Sequence, residues 1–380
     1  MDYRDAINID DLRAIARRRL PRFVFDYVDG GAEDEAALAG NRGAFGRLRF
    51  RPRTLVDVSA RDLSAPLLGA RSALPVVVGP TGLNGLSWRD GDMELARAAA
   101  DAGVPFAMST VSMSFIEDVA REAPGRHWLQ AYVFSERAIT EALMRRAREA
   151  DFECVVLTSD FPVAGKRERD WRTGLLPAQK FTLATKLDML MHPRWLATVA
   201  TRRPRFVNVE RELGPGRDVN AFVGHNMFDP AFCWDDLRRF RDLWPRKLLL
   251  KGVLRADDAE RAVAAGLDGV VLSNHGGRQL DSAIAGLEAL PEVVRTVAGR
   301  AHVLVDGGVR RGGGIAKALA LGAEGVLLGR APVYGLAAGG RAGVARALAI
   351  LADEFDRTLA LTGCRDISGL TPDLIASAGP

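Results

Sequence analysis

The sequence predicts a (β/α)8 barrel of the TIM type, preceded by a helical segment and interrupted by a long insertion after its fourth strand. Three observations predict it. Eight short runs rich in Val, Leu and Ile recur from residue 75 onward, at 75–79, 105–109, 128–133, 154–159, 247–252, 269–273, 302–306 and 325–329. Such near-continuous apolar runs are what parallel strands covered on both faces require. Ala-rich helical stretches follow the runs, as at 92–102, 135–150, 256–265, 313–321 and 339–361. Strand–helix alternation over this length fits a closed parallel barrel. A strand-linked GxGxxG fingerprint is also missing, since Gly312-Gly313-Gly314 follow Arg311 at the wrong spacing. That disfavours a doubly wound open sheet.

The elements before the barrel read as helices. An amphipathic segment opens at Ile9-Asp10-Asp11-Leu12 and stops near Pro21; a second, 23–28, ends at Gly30-Gly31. The expected organisation is one domain over 1–380, with a helical segment at 1–74, the barrel at 75–362 and an insertion at 171–230. The insertion follows from length: nearly ninety residues separate Ser159 from Lys247, where a barrel needs about a dozen. Within it, residues 180–205 carry a formal charge of +5, from Lys180, Lys186, Arg194, Arg202, Arg203 and Arg205 less Asp188. Mixed with Leu, Met and Trp, that charge suits the surface of an anionic membrane. A lid or an oligomer contact with a solvated basic edge accounts for it as well.

Bulk properties narrow the function. A composition of 48% hydrophobic and 26% charged residues is that of an ordinary globular chain. A net charge of +4 with no basic tail gives no reason to expect a nucleic-acid partner. Cys154, Cys233 and Cys364 lie far apart, which points to a reducing compartment and away from disulfides or zinc. The acidic start MDYRDAINID lacks an apolar core, and no run of 18 apolar residues exists. Neither a signal peptide nor a spanning helix is expected, so a cytoplasmic location is.

Chemistry in such barrels sits at the C-terminal ends of strands. Those ends carry Pro80-Thr81-Gly82, Ser109-Thr110, Gln130 with Tyr132, Thr158-Ser159-Asp160, Lys251-Gly252, Ser273 to Arg278, Asp306 to Arg310, and Gly329-Arg330. Loops after strands seven and eight often hold a phosphate, and both here combine glycine with an arginine, Arg310 or Arg330. Lys251 lies in an apolar run and needs a charge partner. A Schiff base, a structural ion pair, or a position facing a ring that becomes anionic on reduction would each explain it. His275, one of five histidines, is the candidate base. Arg278 could fork a carboxylate. A base and a carboxylate anchor separated by two residues suit a 2-hydroxy acid, whose hydroxyl and carboxylate are on neighbouring carbons. Asp160 could orient the imidazole and stabilise its charged form. Among the other histidines, His127 and His302 open strands and should face the barrel's bottom, while His192 and His225 lie in the insertion. No pair has metal-ligand spacing, so no metal is expected.

These residues resemble the FMN-dependent 2-hydroxy-acid dehydrogenase and oxidase family. The resemblance rests on Ser273-Asn274-His275-Gly276-Gly277-Arg278-Gln279-Leu280-Asp281, on Phe25-Asp26-Tyr27 with Gly31-Ala32-Glu33-Asp34, and on Gln130-Ala131-Tyr132. Leu157-Thr158-Ser159-Asp160, Lys251-Gly252, Asp306-Gly307-Gly308-Val309-Arg310-Arg311 and Gly329-Arg330 extend it over nearly the whole chain. Mandelate-type dehydrogenases come nearest, through Gly79-Pro80-Thr81-Gly82-Leu83-Asn84-Gly85, His192-Pro193-Arg194-Trp195 and Asp242-Leu243-Trp244-Pro245.

The resemblance implies FMN as cofactor. Its phosphate would lie on Gly308, Arg310, Gly329 and Arg330, with Asp306 and Gly307 near the ribityl chain. Its ring would meet Pro80, Thr81, Gly82, Ser109, Gln130, Thr158, Lys251 and Ser273. The substrate would be held by Arg278 and Arg167 with Tyr27 and Tyr132, and His275 would be the base, oriented by Asp160. Gly82 stands where the family's oxidases commonly have alanine, which implies a dehydrogenase passing electrons to a quinone or similar carrier. Val111 stands where glycolate oxidase has a tryptophan, which leaves room for a phenyl group. The expected reaction is oxidation of an (S)-2-hydroxy acid, mandelate or a similar aromatic one, with L-lactate or an oxygen-using oxidase as the alternative. A homotetramer and peripheral attachment to the inner face of the cell membrane are implied in the same way. A type 2 isoprenoid isomerase uses the same barrel and flavin, but would not need both Arg167 and Arg278.

Overall fold

The computed structural model describes residues 1–175, 180–199, 205–219, 222 and 228–377. Before the barrel come three helices, α1 (Ile9–Arg19), α2 (Arg22–Asp29) and α3 (Ala36–Gly46). Asn8 caps α1 by accepting from the Asp11 N–H at 2.8 Å; Asp10 and Asp11 occupy its first turn and Arg17 to Arg19 its last. That charge order complements the helix dipole. Ile9, Leu12, Ile15 and Ala16 form its buried stripe, and Pro21 separates it from α2.

The barrel strands are β1 (Val76–Val78), β2 (Phe106–Ser109), β3 (His127–Tyr132), β4 (Cys154–Thr158), β5 (Lys247–Val253), β6 (Gly269–Leu272), β7 (His302–Asp306) and β8 (Gly325–Leu328). All pair in parallel, each with its sequence neighbours, and β8 closes on β1. All eight expected strands are present, with ends shifted by a residue or so. The lower interior is filled by Val77, Ala107, Trp128, Cys154, Val156, Leu249, Val271, Leu304 and Leu327, closed by Leu67 and Leu68. A packed interior restricts any ligand to the rim.

Two expectations need correction. The 1–74 segment is not purely helical. Leu48–Phe50 pairs with Ile375–Ser377, and Ala65–Leu67 with Ala70–Ser72 forms a hairpin that plugs the barrel floor. The last helix begins at Arg330, not residue 339; Arg330–Thr362 is two helices joined at a kink where Gly339 and Gly340 leave helical geometry. Gly340 has φ +61°, and a Cβ there would lie 2.7 Å from the Trp88 indole. This helix is long and apolar enough to cross a bilayer, but most of its apolar residues are buried inside the molecule. The stretch after β4 carries secondary structure of its own. It contains α4 (Glu168–Thr173), α5 (Leu183–Leu190), α6 (Pro193–Thr198) and α7 (Val207–Leu213). Thr182 caps α5 through the Thr185 N–H. Trp195 of α6 donates its indole N–H to the Leu86 carbonyl at 2.7 Å and packs edge-on against Phe23. His225, Arg202 and Arg203 lie outside the described residues.

Candidate active site

The strand ends enclose one cavity, open at its mouth. It is lined by Tyr27, Pro80, Thr81, Gly82, Ser109, Gln130, Tyr132, Thr158, Arg167, Lys251, His275, Arg278, Asp306, Gly307, Gly308, Arg310, Gly329 and Arg330. The sequence-predicted residues are thus brought together, except Asp160 and Ser273, which stand one layer behind. Ser273 is fully buried and does not reach the cavity. Its hydroxyl is shared between Lys251 Nζ, 2.8 Å, and the His275 N–H, 2.9 Å.

That hydroxyl helps fix an unusual turn. His275, Gly276 and Gly277 all have positive φ, at +58°, +65° and +76°. A left-handed histidine costs roughly 1 kcal/mol or more and persists only where its surroundings hold it. The turn points the imidazole inward. Its Nδ1 meets Asp160 Oδ1 at 3.0 Å and its Nε2 meets the Tyr132 hydroxyl at 3.2 Å. An ionised carboxylate can only accept, so Nδ1 carries the hydrogen and Nε2 is the unprotonated nitrogen, accepting from the Tyr132 hydroxyl. Burial pushes the imidazole below its ordinary value, with Asp160 pulling the other way. Burial would raise Asp160, but Lys251 and His275 outweigh it and hold the carboxyl below its usual range. Tyr132, Phe161 and Phe228 wall the imidazole on its outer side.

Lys251 is buried between Asp306 Oδ2 at 3.3 Å and Asp160 Oδ2 at 3.9 Å. Burial favours the neutral amine, but the two carboxylates win and raise it above its ordinary value. A lysine held as a cation is a poor nucleophile, which removes the Schiff-base reading. Gly252 makes this crowding possible: at φ +107°, its Cβ would lie 2.7 Å from the Asp160 nitrogen.

Two guanidinium groups line the same cavity as His275. Arg278 donates to the Tyr27 carbonyl at 2.6 Å and the Gly30 carbonyl at 3.1 Å, with its Cζ 4.9 Å above the Tyr27 ring. Arg167 sits 5.7 Å over Phe161, and its buried Nε has no partner among the described residues. Burial, then the charge of Arg278, pushes Arg167 down to about 10. Two cations crowded into a partly dry site are stabilised by an anion between them, and a carboxylate has the geometry for both forks.

The remaining wall is polar backbone on a braced frame. Ser109 Oγ donates to Gln130 Oε1 at 3.0 Å, and Gln130 Nε2 donates to Thr158 Oγ1 at 2.8 Å. At the far end, Gly307 and Gly308 turn with φ +90° and +80°, and the helix beginning at Arg330 presents its N-terminus. Backbone N–H groups, a helix N-terminus and the Arg310 guanidinium form an anion cradle. Arg330 is partly committed elsewhere. It donates to the carbonyls of Val28 at 3.0 Å, Gly276 at 2.8 Å and Gly30 at 2.7 Å, tying α2 to the His275 turn.

The cavity fits FMN. It includes an anion cradle, and the buried Asp306 Oδ1 has no donor among the described residues, which a ribityl hydroxyl would supply. Lys251 and Gln130 would face the ring, whose reduced form is anionic. A Cβ on Gly82 would lie 2.6 Å from Val111 Cγ2 and 3.2 Å from the Tyr27 hydroxyl, so this corner has no slack.

Several residues that build the site were not singled out in the sequence. Asn274 and Asn41 form a reciprocal buried amide pair at 2.8 and 3.0 Å. Asp281 accepts from the Asp34 and Ala37 N–H groups at 3.1 and 3.0 Å, capping α3 from across the fold. Gln279 Nε2 bonds the Asp160 and Val163 carbonyls, both at 2.9 Å. Asn274, Gln279 and Asp281 belong to the Ser273–Asp281 signature, so the signal was present; Asn274 and Asp281 pin the N-terminal helices to the His275 loop, and Gln279 ties that loop to the segment after β4. Asn84 and Asp92 brace the loops after β1 and β2. Asn84 bonds Asp92 at 2.7 Å, and Asp92 accepts from the Met113 N–H at 2.8 Å. Nothing local announced them, because their partners lie on separate loops.

A barrel with a base–carboxylate pair, two converging arginines and a flavin-sized cradle defines a flavin-dependent oxidoreductase of hydroxy acids. The profile of the FMN-dependent dehydrogenase family matches residues 16–377. The chain is 47% identical to (S)-mandelate dehydrogenase of Pseudomonas putida, covering 98% of this chain and 94% of that one. It is 42% identical to L-lactate dehydrogenase of Caulobacter vibrioides over 97% of each. Its backbone superposes on a crystal structure of monotopic membrane protein (S)-mandelate dehydrogenase with a TM-score of 0.94 and 46% identity, covering 98% of this chain and 100% of that one. The chain belongs to the FMN-dependent (S)-2-hydroxy-acid dehydrogenase family.

Proposed function

We propose that the protein oxidises (S)-mandelate, or a similar aromatic (S)-2-hydroxy acid, to the 2-oxo acid and passes the electrons to a quinone-type carrier. The observation that carries this reading is that His275, braced by Asp160, shares one cavity with the Arg167–Arg278 pair. Arg278 and Arg167 fork the carboxylate, which places the adjacent hydroxyl and α-carbon toward His275. Nε2 accepts the substrate's proton, and Asp160 stabilises the imidazolium so formed. The Tyr132 hydroxyl orients Nε2, and the Tyr27 ring backs Arg278. Bound FMN supplies the two-electron acceptor, held by Gly308, Arg310, Gly329 and Arg330 at its phosphate, by Asp306 at its ribityl chain and by Lys251 at its ring. Val111, smaller than the tryptophan that glycolate oxidase has at this place, and similarity to (S)-mandelate dehydrogenase support that choice over L-lactate. Anaerobic mixing with (S)-mandelate and with L-lactate tests it. Faster bleaching of the flavin band by (S)-mandelate is expected; bleaching by L-lactate alone would reverse the assignment, and bleaching by neither would end it.

The same reading includes peripheral attachment to the inner face of the cell membrane through residues 180–205, in a homotetramer. Leu183, Leu187, Leu190 and Met191 are exposed on and beside α5, at 73%, 55%, 65% and 79%, and Trp171 is exposed too. Lys180, Lys186 and Arg194 lie in the same stretch. Large apolar side chains in water beside basic ones suit a headgroup boundary. L187D/L190D should lose flotation with anionic liposomes while keeping dye-linked turnover. Unchanged flotation would refute the attachment.

A further inference from the structure

Tyr334 lies in the helix after β8, is 2% exposed, and does not line the cavity. Its ring lies 5.6 Å from Arg310 Cζ. Its hydroxyl donates to Asp29 Oδ1 at 2.7 Å. Asp29, at the end of α2, is itself buried and accepts a bidentate pair from Arg13, 2.5 and 2.7 Å, and a third bond from Arg169 at 3.2 Å. The aromatic face under Arg310 is therefore anchored by a buried carboxylate shared by α1, α2 and α4. Arg310 makes one hydrogen bond among the described residues, to the Val309 carbonyl at 2.8 Å. Most of its fork is left for a ligand, but a long side chain so lightly tethered would lose rotamer freedom on binding one. A ring stacked beneath it removes part of that cost in advance.

We infer that Tyr334, held by Asp29, is the positioning residue that pre-orients Arg310 for the terminal phosphate of FMN. The inference rests on the reading that Arg310 contacts that phosphate. The arrangement separates the two ends of the cofactor. Tyr334 acts on the phosphate, and the ring-facing residues Gln130, Thr158 and Lys251 lie on other strands. Losing Tyr334 should weaken binding of a phosphorylated flavin and leave an unphosphorylated one untouched.

The test measures dissociation constants for FMN and for riboflavin with flavin-stripped protein, by quenching of flavin fluorescence. Tyr334→Leu should weaken FMN roughly tenfold, the scale of a desolvated cation–π contact, and leave riboflavin within about twofold of wild type. Tyr334→Phe keeps the ring, frees it from Asp29, and should give a smaller loss of the same selectivity. Retained riboflavin binding shows that each variant is folded. If the variants bind riboflavin but discriminate FMN from it as wild type does, the role of Tyr334 is refuted. Equal losses for both flavins refute it too, since they indicate general loosening. Arg310→Met separates this from the underlying reading. If it also leaves FMN selectivity unchanged, Arg310 does not hold the phosphate; if it alone abolishes selectivity, only the Tyr334 inference falls.

Discussion

Replacing His275 by asparagine should slow reduction of the flavin by substrate about 10²–10⁴-fold, the usual worth of a positioned general base. Flavin should remain bound, because His275 is one wall of the cavity and not part of the phosphate cradle. Asparagine tolerates the left-handed backbone at φ +58°, so the turn should survive. It can still bond Asp160 but has no lone pair of comparable basicity to offer. A variant reduced at the wild-type rate under anaerobic stopped flow would refute the role. The pH profile gives a second check. His275 must start neutral to act, and burial places it below the ordinary value of 6.5. The base is then fully present at pH 7 and is lost only as pH falls through that depressed value. The acid limb of kcat/KM should therefore lie below pH 6.5. Asp160→Asn removes the charge that pulls the imidazole upward, so the limb should move further down while kcat falls, because the imidazolium loses its counter-charge. A limb at or above pH 7 in the wild type would contradict the burial argument.

Arg278→Lys should lower kcat/KM roughly 10- to 100-fold, the scale of losing one charge-assisted bond and the planar fork. Most of the loss should appear as a raised KM. A remainder in kcat is expected because a carboxylate held by one point charge presents its α-carbon less accurately to His275. Flavin content should be unchanged. Arg167→Lys should act in the same direction, and the double variant should lose less than the product of the two, since the first lysine already loosens the two-fork grip on the carboxylate that the second would disturb. Steady-state kinetics on the three variants checks this. Full additivity would mean that the guanidinium groups bind different parts of the substrate.

Much was legible in the chain itself. The eight parallel strands were, because a buried strand writes an apolar run of its own length whatever surrounds it. The strand-end residues followed from the barrel, since side chains at the C-terminal rim of a closed parallel sheet have one place to converge. His275, Arg278, Lys251 and the two glycine–arginine loops were found on that ground. The floor hairpin at Ala65–Leu67 and Ala70–Ser72 was not legible. Three-residue strands carry too little periodicity, and their pairing becomes worthwhile only over an existing barrel end. The early start of the last helix at Arg330 was hidden by Gly339-Gly340, which read as a boundary and prove to be a kink.

Tertiary structure decided how the rim residues work. The sequence alone pointed to a candidate base, a candidate carboxylate anchor, a lysine in an apolar run and two candidate anion loops, each from residue type and place along a strand. It could not say that Ser273 turns away from the cavity to hold Lys251 and His275, that Lys251 remains charged between Asp160 and Asp306, or that three donors of Arg330 point at the backbone of α2 and the His275 turn. Nor could it pair Asn41 with Asn274, or Tyr334 with Asp29. The physical reason is that composition and periodicity report which groups must be buried, while the charge state and orientation of a buried group depend on partners hundreds of residues away, and only the closed barrel brings those together.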